Sequence, residues 1–366
     1  QNQKSQFSTN YSLILEKVAS HVRDFSLNTK RVINATGVVI HTNLGRAPIS
    51  DKILEKVIPK INSYSFLEFD KNSGKRGSRE KKITHLLCLL SGAEDAIAVN
   101  NNAAAVFLML KVLAGNNHFK NKPEVILSRG ELVEIGGSFR IPDVIKKSNC
   151  KMVEVGTTNK THINDYKKAI NKNTGMIMIA HTSNYKVVGF TESVDLKELV
   201  LLAKKNKIPL FVDVGSGALI NYNKFEMPKE KMIKEYIKMG VDVVSFSGDK
   251  LIGGPQAGVI CGKKNIINKI HANSMYRALR CDKITVSIFE LILKTYIDEN
   301  SVDESNLAFY LLTRKRAELK KIGKKLLKKI KVNVKKKYNI HLVESYVQAG
   351  SGSLPIENIE SIALEF

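Results

Sequence analysis

A chain of 366 residues can bury a large core and hold one large domain plus a smaller one. Its 43% hydrophobic and 25% charged residues describe an ordinary globular protein, and no apolar run approaches the roughly 20 residues that span a bilayer. The net charge of +23 invites a polyanion such as nucleic acid, although a Lys-rich chain also arises from compositional bias alone. The opening residues lack the basic-then-apolar layout of a secretory signal. Cys88, Cys150, Cys261 and Cys281 are scattered with no CxxC pair. They suit neither a zinc site nor a disulfide framework, so a reducing cytoplasm and no bound metal are expected.

Residues 11–26 read as an amphipathic helix with Leu13, Leu15, Val18 and Val22 on one side. From Arg31 onward, short apolar runs alternate with helical patterns: Ala96–Val99, Val125–Leu127, Met152–Val155, Met176–Ile179, Leu210–Val214 and Val241–Phe246. That alternation predicts an α/β fold, a mostly parallel sheet with helices on both faces. After about Ile266 the pattern changes to two long helical stretches and then strand-like pieces around 339–347. The expected organisation is an N-terminal helical segment over 1–30, a large domain over 31–265 and a smaller α+β domain over 266–366. The densest basic stretch, Arg314 to Lys337, carries Leu319, Ile322, Leu326 and Ile330 at three- or four-residue spacing. It predicts one amphipathic helix with a solvated basic face, with contact to nucleic acid as the competing reading.

The eleven arginines are more informative than the lysines. Seven fall in Gly-rich or polar segments: Arg46, Arg76, Arg79, Arg129, Arg140, Arg277 and Arg280. A planar guanidinium in a tight turn suits a phosphate or carboxylate. Pairing with a structural Asp or Glu is the plainer explanation, expected for two or three of them.

In an open parallel sheet, ligands gather beyond the carboxyl ends of the strands, and three segments there carry chemistry. The first, Asn100-Asn101-Asn102-Ala103-Ala104-Ala105, follows a strand and opens a helix whose amides suit a phosphate. A plain capped helix would accept the same residues, though it needs only one Asn. The second is Phe211-Val212-Asp213-Val214-Gly215, where Asp213 could support a pyridine nitrogen, cap a helix or bind magnesium. The third is Ser245-Phe246-Ser247-Gly248-Asp249-Lys250 with the glycine-rich turn behind it. A lysine on a rigid element among small residues suits a Schiff base with an aldehyde cofactor, and Ser245 or Ser247 could donate to its phosphate. In this order the three favour pyridoxal phosphate (PLP). No GxxxxGK[ST] or GxGxxG supports a nucleotide instead.

Longer segments then carry a resemblance. INATGVVIHTNLGRAP (Ile33–Pro48), GKRGSRE (Gly74–Glu80), SRGELVEIGGSFRIPDV (Ser128–Val144), VGTTNKT (Val155–Thr161), HTSNYKVVGF (His181–Phe190) and YRALRCDK (Tyr276–Lys283) are similar to the bacterial selenocysteine synthases, the L-seryl-tRNA(Sec) selenium transferases. The resemblance runs from about Arg31 to Leu354. It implies the aspartate-aminotransferase-like fold (PLP fold type I) and conversion of seryl-tRNA(Sec) to selenocysteyl-tRNA(Sec) by selenophosphate, through an aminoacrylyl intermediate. It implies Lys250 as the cofactor lysine and Asp249 as an aid to proton transfer. The cofactor would also be held by Asp213, Asn101, Asn102, Ala103, Ser183 and Ser247. Arg76, Arg79, Arg277 and Arg280 match the arginines expected to grip the donor's phosphate.

A homodimer, or a ring of dimers, in the cytoplasm and away from membranes is implied as well. Two departures stand out. About thirty residues precede Arg31, fewer than the family's helical tRNA-recognition domain needs, and GSGSLPIENI differs from the expected C-terminal signature. A related PLP lyase, eliminating from a small amino acid or amino-sugar phosphate, would use the same lysine and arginines. A tRNA-binding protein without catalysis would have no need of Lys250 and Asp213 together.

Overall fold

The computed structural model describes residues 11–20, 31–114, 122–137, 139–182, 184–350 and 353–366. The chain divides into two compact units, Gln1–Thr36 and Gly37–Phe366. In the first, residues 11–20 are helical, and the rest of the expected helix to residue 26 lies outside the described residues.

The second unit is built on a seven-stranded sheet. Its strands are β1 (Asp95–Val99), β2 (Glu124–Ser128), β3 (Lys151–Val155), β4 (Thr174–Ala180), β5 (Leu210–Gly215), β6 (Val243–Ser247) and β7 (Gly258–Gly262), in the order β1-β7-β6-β5-β4-β2-β3. The pairs β6/β5, β5/β4, β4/β2 and β2/β3 are parallel, whereas β7 runs antiparallel to both of its neighbours. Six strands coincide with the apolar runs of the sequence. The seventh, GVICG, has a glycine at each end and was legible only as part of a glycine-rich turn.

Alternation along each strand feeds two cores. Ile126, Ile177 and Val212 join the core on one face, while Leu127, Met178 and Phe211 join the core on the other. Continuous burial of this kind is why these strands read as unbroken apolar runs. Helix α1 (Asp51–Ile61) and helix α2 (Lys81–Ser91) precede the sheet, helix α3 (Asn102–Met109) follows β1, and helix α4 (Lys283–Thr295) packs against α1 and α2. Residues beyond 265 thus pack on helices from the start of the unit.

The basic stretch is two helices rather than one, α5 (Arg316–Lys329) and α6 (Val332–Lys337). The chain is extended at Ile330 and Lys331 between them. The β-branched Ile330 loses side-chain freedom in a helix, which favours a break there. Helix α5 lies against the antiparallel hairpin of β8 (His341–Gly350) and β9 (Ser353–Glu365), with Gly323 seated on Leu342. The segment 37–40 adds to this hairpin: Val39 N donates to Gln348 O and Ile40 N to Ala349 O, each at 2.9 Å. From there the chain turns through Thr42–Leu44 toward the strand ends.

Candidate active site

Strands β5 and β6 are parallel neighbours, and their register sets Ser245 opposite Asp213. Ser245 Oγ donates to Asp213 Oδ1 at 3.0 Å. Asn102 Nδ2, from the first turn of α3, donates to the same oxygen at 2.8 Å. Asp213 is only 5% exposed. Burial pushes its carboxyl upward, while the bonds from Asn102 and Ser245 and the nearby Lys250 and His181 pull it back. Asn102 Oδ1 is buried with no partner, a polar atom aimed at something other than protein.

Lys250 follows β6 in a turn that is locked from several sides. Gly248 N donates to Ala257 O and Gly254 N to Gly248 O, both at 2.8 Å, and Gly253 N donates to Lys250 O at 2.9 Å. Tyr222 Oη donates to Leu251 O at 2.6 Å, and Tyr296 Oη donates to Ile252 O at 2.9 Å. The Lys250 side chain therefore hangs from a fixed backbone. It is 5% exposed, and burial lowers the basicity of its amine, against the opposing pull of Asp213 and Asp249. Among the described residues no hydrogen bond or ion pair ties up that amine. A buried amine of lowered basicity is a ready nucleophile toward an aldehyde.

Asp249 is equally buried, and its Oδ2 is held by Arg46 Nη1 at 2.8 Å. Arg46 lies at φ 61 just after Gly45, in the turn that leaves the hairpin-bound segment 37–40. A cleft of about 410 Å³ opens here, lined by Thr42, Arg46, Asp249 and Gln256.

At the other side of Asp213, Asn101 caps α3 by accepting from Ala104 N at 2.8 Å. The amides of Asn102 and Ala103 then open the helix, where backbone donors have no intrahelical acceptor. A Cβ on Gly258 would overlap the Asn101 carbonyl, so β7 passes directly under this turn. Ser247, at the end of β6, pairs with Gly258 and shares a strand face with Ser245. Ser183 lies outside the described residues.

The structure thus gathers Asn101, Asn102, Ala103, Asp213, Ser247, Asp249 and Lys250 at one group of strand ends. Three of the four expected arginines, Arg76, Arg79 and Arg280, form a separate arrangement that does not include Arg277. A two-stranded ribbon, Phe69–Asp70 with Lys75–Arg76, brings Arg76 back beside Glu68, and Gly77 N donates to Glu68 O at 2.9 Å. Three guanidinium groups then meet the Glu68 carboxylate: Arg79 at 2.6 Å, Arg76 at 2.9 Å and Arg280 at 3.3 Å. Arg79 also donates to Cys281 O at 3.0 Å. Arg280 bridges Val99 at the end of β1, two residues before Asn101. Arg277 is exposed.

Pairing with a carboxylate is more general among the seven arginines than the sequence suggested. Besides these three, Arg46, Arg129 and Arg140 pair with Asp249, Glu154 and Glu134. Arg46 and Glu68 are the residues that sequence reasoning left out of the site. Arg46 stood out as an arginine in a glycine turn, but nothing local marks Glu68.

The site can hold a phosphorylated aldehyde with a ring nitrogen: an amine for the aldehyde, a carboxylate for the nitrogen, helix amides for the phosphate. Comparisons agree. A family model, SelA: L-seryl-tRNA selenium transferase, matches residues 32–366. The chain is 44% identical over 360 residues to the L-seryl-tRNA(Sec) selenium transferase of Alkaliphilus oremlandii, covering 98% of this chain and 76% of that one. It is 43% identical over 364 residues to the protein of that name from Haemophilus influenzae, covering 99% and 78%. Among solved structures it is similar to a D-glucosaminate-6-phosphate ammonia-lyase, with a TM-score of 0.57, 21% identity, and 74% and 69% coverage. An aspartate aminotransferase of Thermus thermophilus gives a TM-score of 0.51 at 15% identity, with 86% and 77% coverage. At such identities these two likenesses show the fold alone, which is that of the aspartate aminotransferases.

Proposed function

Because the chain belongs to the family of L-seryl-tRNA selenium transferases, we propose that it converts seryl-tRNA(Sec) to selenocysteyl-tRNA(Sec), with PLP as cofactor and selenophosphate as selenium donor. The observation that carries this reading is the convergence of Lys250 and Asp213, each 5% exposed, at the ends of adjacent strands. When bound, PLP supplies an electron sink for the substrate's α-carbon.

The residues divide the remaining work. Asp213, oriented by Asn102 and Ser245, holds a proton on the ring nitrogen, because a buried carboxylate favours a cationic partner. Ser247 and the amides of Asn102 and Ala103 bind the cofactor phosphate, and Asn101 fixes that turn. Lys250, its amine made less basic by burial, binds the aldehyde and then moves the proton at the α-carbon. Asp249, held on one oxygen by Arg46, assists the proton transfer that delivers a proton to the serine hydroxyl oxygen, so that it leaves as water. Arg76, Arg79, Arg277 and Arg280 bind the phosphate of selenophosphate, whose tetrahedral oxygens match guanidinium forks. Active sites shared across a homodimer or a ring of dimers, and a cytoplasmic setting, complete the reading. Among the described residues no helix is long and apolar enough to cross a membrane.

The lyase alternative uses the same lysine and arginines. The relatives at 43–46% identity bear the transferase name, and the likeness to an ammonia-lyase is one of fold. Two measurements test the proposal. Protein loaded with PLP is expected to be yellow, and borohydride is expected to fix the cofactor's mass on the Lys250 peptide. Lys250→Ala abolishes both. Seryl-tRNA(Sec) and selenophosphate are then expected to give selenocysteyl-tRNA(Sec). Cofactor binding without that product, together with ammonia release from a small phosphorylated amine, would replace the transferase reading with the lyase.

A further inference from the structure

Three guanidinium groups share the single carboxylate of Glu68, and both of its oxygens are engaged: Oε1 by Arg79 and Arg280, Oε2 by Arg76. The Arg79 hydrogen bond and the surrounding guanidinium charges hold that carboxyl below its ordinary range. Glu68 balances one of the three positive charges. Glu80 feels the charge of Arg79 and Arg280, but neither of its buried carboxylate oxygens makes a hydrogen bond to either of them. The cluster is therefore built for more negative charge than Glu68 carries. The Glu68 side chain is 26% exposed, so it can swing into water without stranding a charge in the interior.

We propose that Glu68 is a built-in competitor for the donor's phosphate and so a determinant of anion selectivity. Its carboxylate holds the same guanidinium groups that the phosphate takes, and a doubly charged phosphate displaces it where a singly charged anion does not. This rests on the reading of Arg76, Arg79 and Arg280 as the phosphate grip. A carboxylate offers two oxygens and one charge to three forks. A phosphate group offers three oxygens and up to two charges, and so satisfies the same donors better. Selenophosphate thereby gains over small monoanions that would otherwise fill a bare arginine cluster.

The test is calorimetric titration of the PLP-loaded full chain with inorganic phosphate at about pH 8, where its dianion predominates, with nitrate as the monoanion probe. Glu68→Gln keeps the side chain's shape and removes the charge. It is expected to bind phosphate about tenfold tighter, about 1.4 kcal/mol, and to lose selectivity against nitrate. Arg79→Gln and Arg280→Gln are expected to weaken phosphate binding. Should Glu68→Gln fail to fold, Glu68→Asp draws the carboxylate back by one methylene and is expected to show a smaller gain. If the arginine variants weaken binding while neither Glu68 variant binds phosphate more tightly, the grip stands and the competitor is overturned. If the arginine variants leave phosphate binding unchanged, the grip itself is misassigned and the proposal falls with it. A purely scaffolding Glu68 would lower affinity when replaced, the opposite sign.

Discussion

Asp213 and Asn102 are 111 residues apart in the chain, and Asn102 Nδ2 donates to Asp213 Oδ1 at 2.8 Å. That bond ties the turn that opens α3 to the end of β5, so under the proposed function a single contact would position both the phosphate end and the ring end of the cofactor. Its other amide atom, Oδ1, is buried with no partner. Such an atom costs about 1–3 kcal/mol unless something satisfies it.

The carboxylate's role follows from this geometry. Asp213→Asn preserves shape and removes the charge proposed to keep the ring nitrogen protonated. It is expected to retain PLP and to lower turnover by on the order of 10²–10³-fold. Ser245→Ala, which deletes only one of two supporting bonds, is expected to cost far less. Single-turnover rates with PLP occupancy measured alongside check both, and equal losses in the two variants would remove Asp213 from that role.

Arg46 reaches Asp249 with one guanidinium nitrogen at 2.8 Å. Arg46→Lys keeps the charge but loses the planar fork, and Lys is a poor replacement where geometry matters. Turnover is expected to drop by on the order of 10²-fold, with PLP still bound. Arg46→Ala adds the cost of leaving the Asp249 charge buried and unpaired, so its melting temperature is expected to fall as well. Full activity in Arg46→Lys would show that Asp249 needs no such hold.

Gly258 is squeezed against the Asn101 carbonyl, with no room for a methyl group. Gly258→Ala must push the phosphate turn away, a strain of roughly 1–3 kcal/mol. PLP affinity is expected to fall tenfold or more while the sheet stays folded. Cofactor titration against circular dichroism separates these, and unaltered affinity would mean that the turn is not where the phosphate binds.

Glu131 is partly buried just after β2, with Oε2 accepting from Ala180 N at 3.2 Å. Burial pushes its carboxyl up to about 8 from an ordinary 4.5. A raised folded-state value means that the native protein holds this proton more tightly than the unfolded chain between those two limits. The stabilisation is complete below about pH 4.5 and is lost as pH rises through about 8. Glu131→Gln mimics the protonated acid at every pH. It is expected to match the parent near pH 5 and to exceed it at pH 8.5, on the order of a few kcal/mol. Melting curves at those two pH values check the sign, and a variant less stable at the higher pH would refute it.

Much of this arrangement was legible in the chain because it is local. Six sheet strands coincide with apolar runs, and the central ones are buried on both faces, whereas the edge strand β3 is only partly buried. Lys250, Asp213 and Asn101–Ala103 each follow such a run, where an open parallel sheet collects ligands. Strand β7 escaped notice because its glycines make room for Asn101 and for Val243, a demand that comes from neighbours distant in sequence. The single helix expected over 314–337 breaks at Ile330 and Lys331, where the β-branched Ile330 disfavours helix.

Sequence by itself determined the fold class and singled out Lys250 and the acidic strand end, for each is encoded within one strand and the turn that follows it. Tertiary structure alone decided which charge meets which. Arg46 and Asp249 are separated by 203 residues, and Glu68 and Arg280 by 212. A guanidinium carries no local mark of its partner, because ion pairing is set by the packing that brings two helix starts or two turns together. Composition could therefore suggest that these arginines await an anion, and only the folded chain revealed that most already hold one.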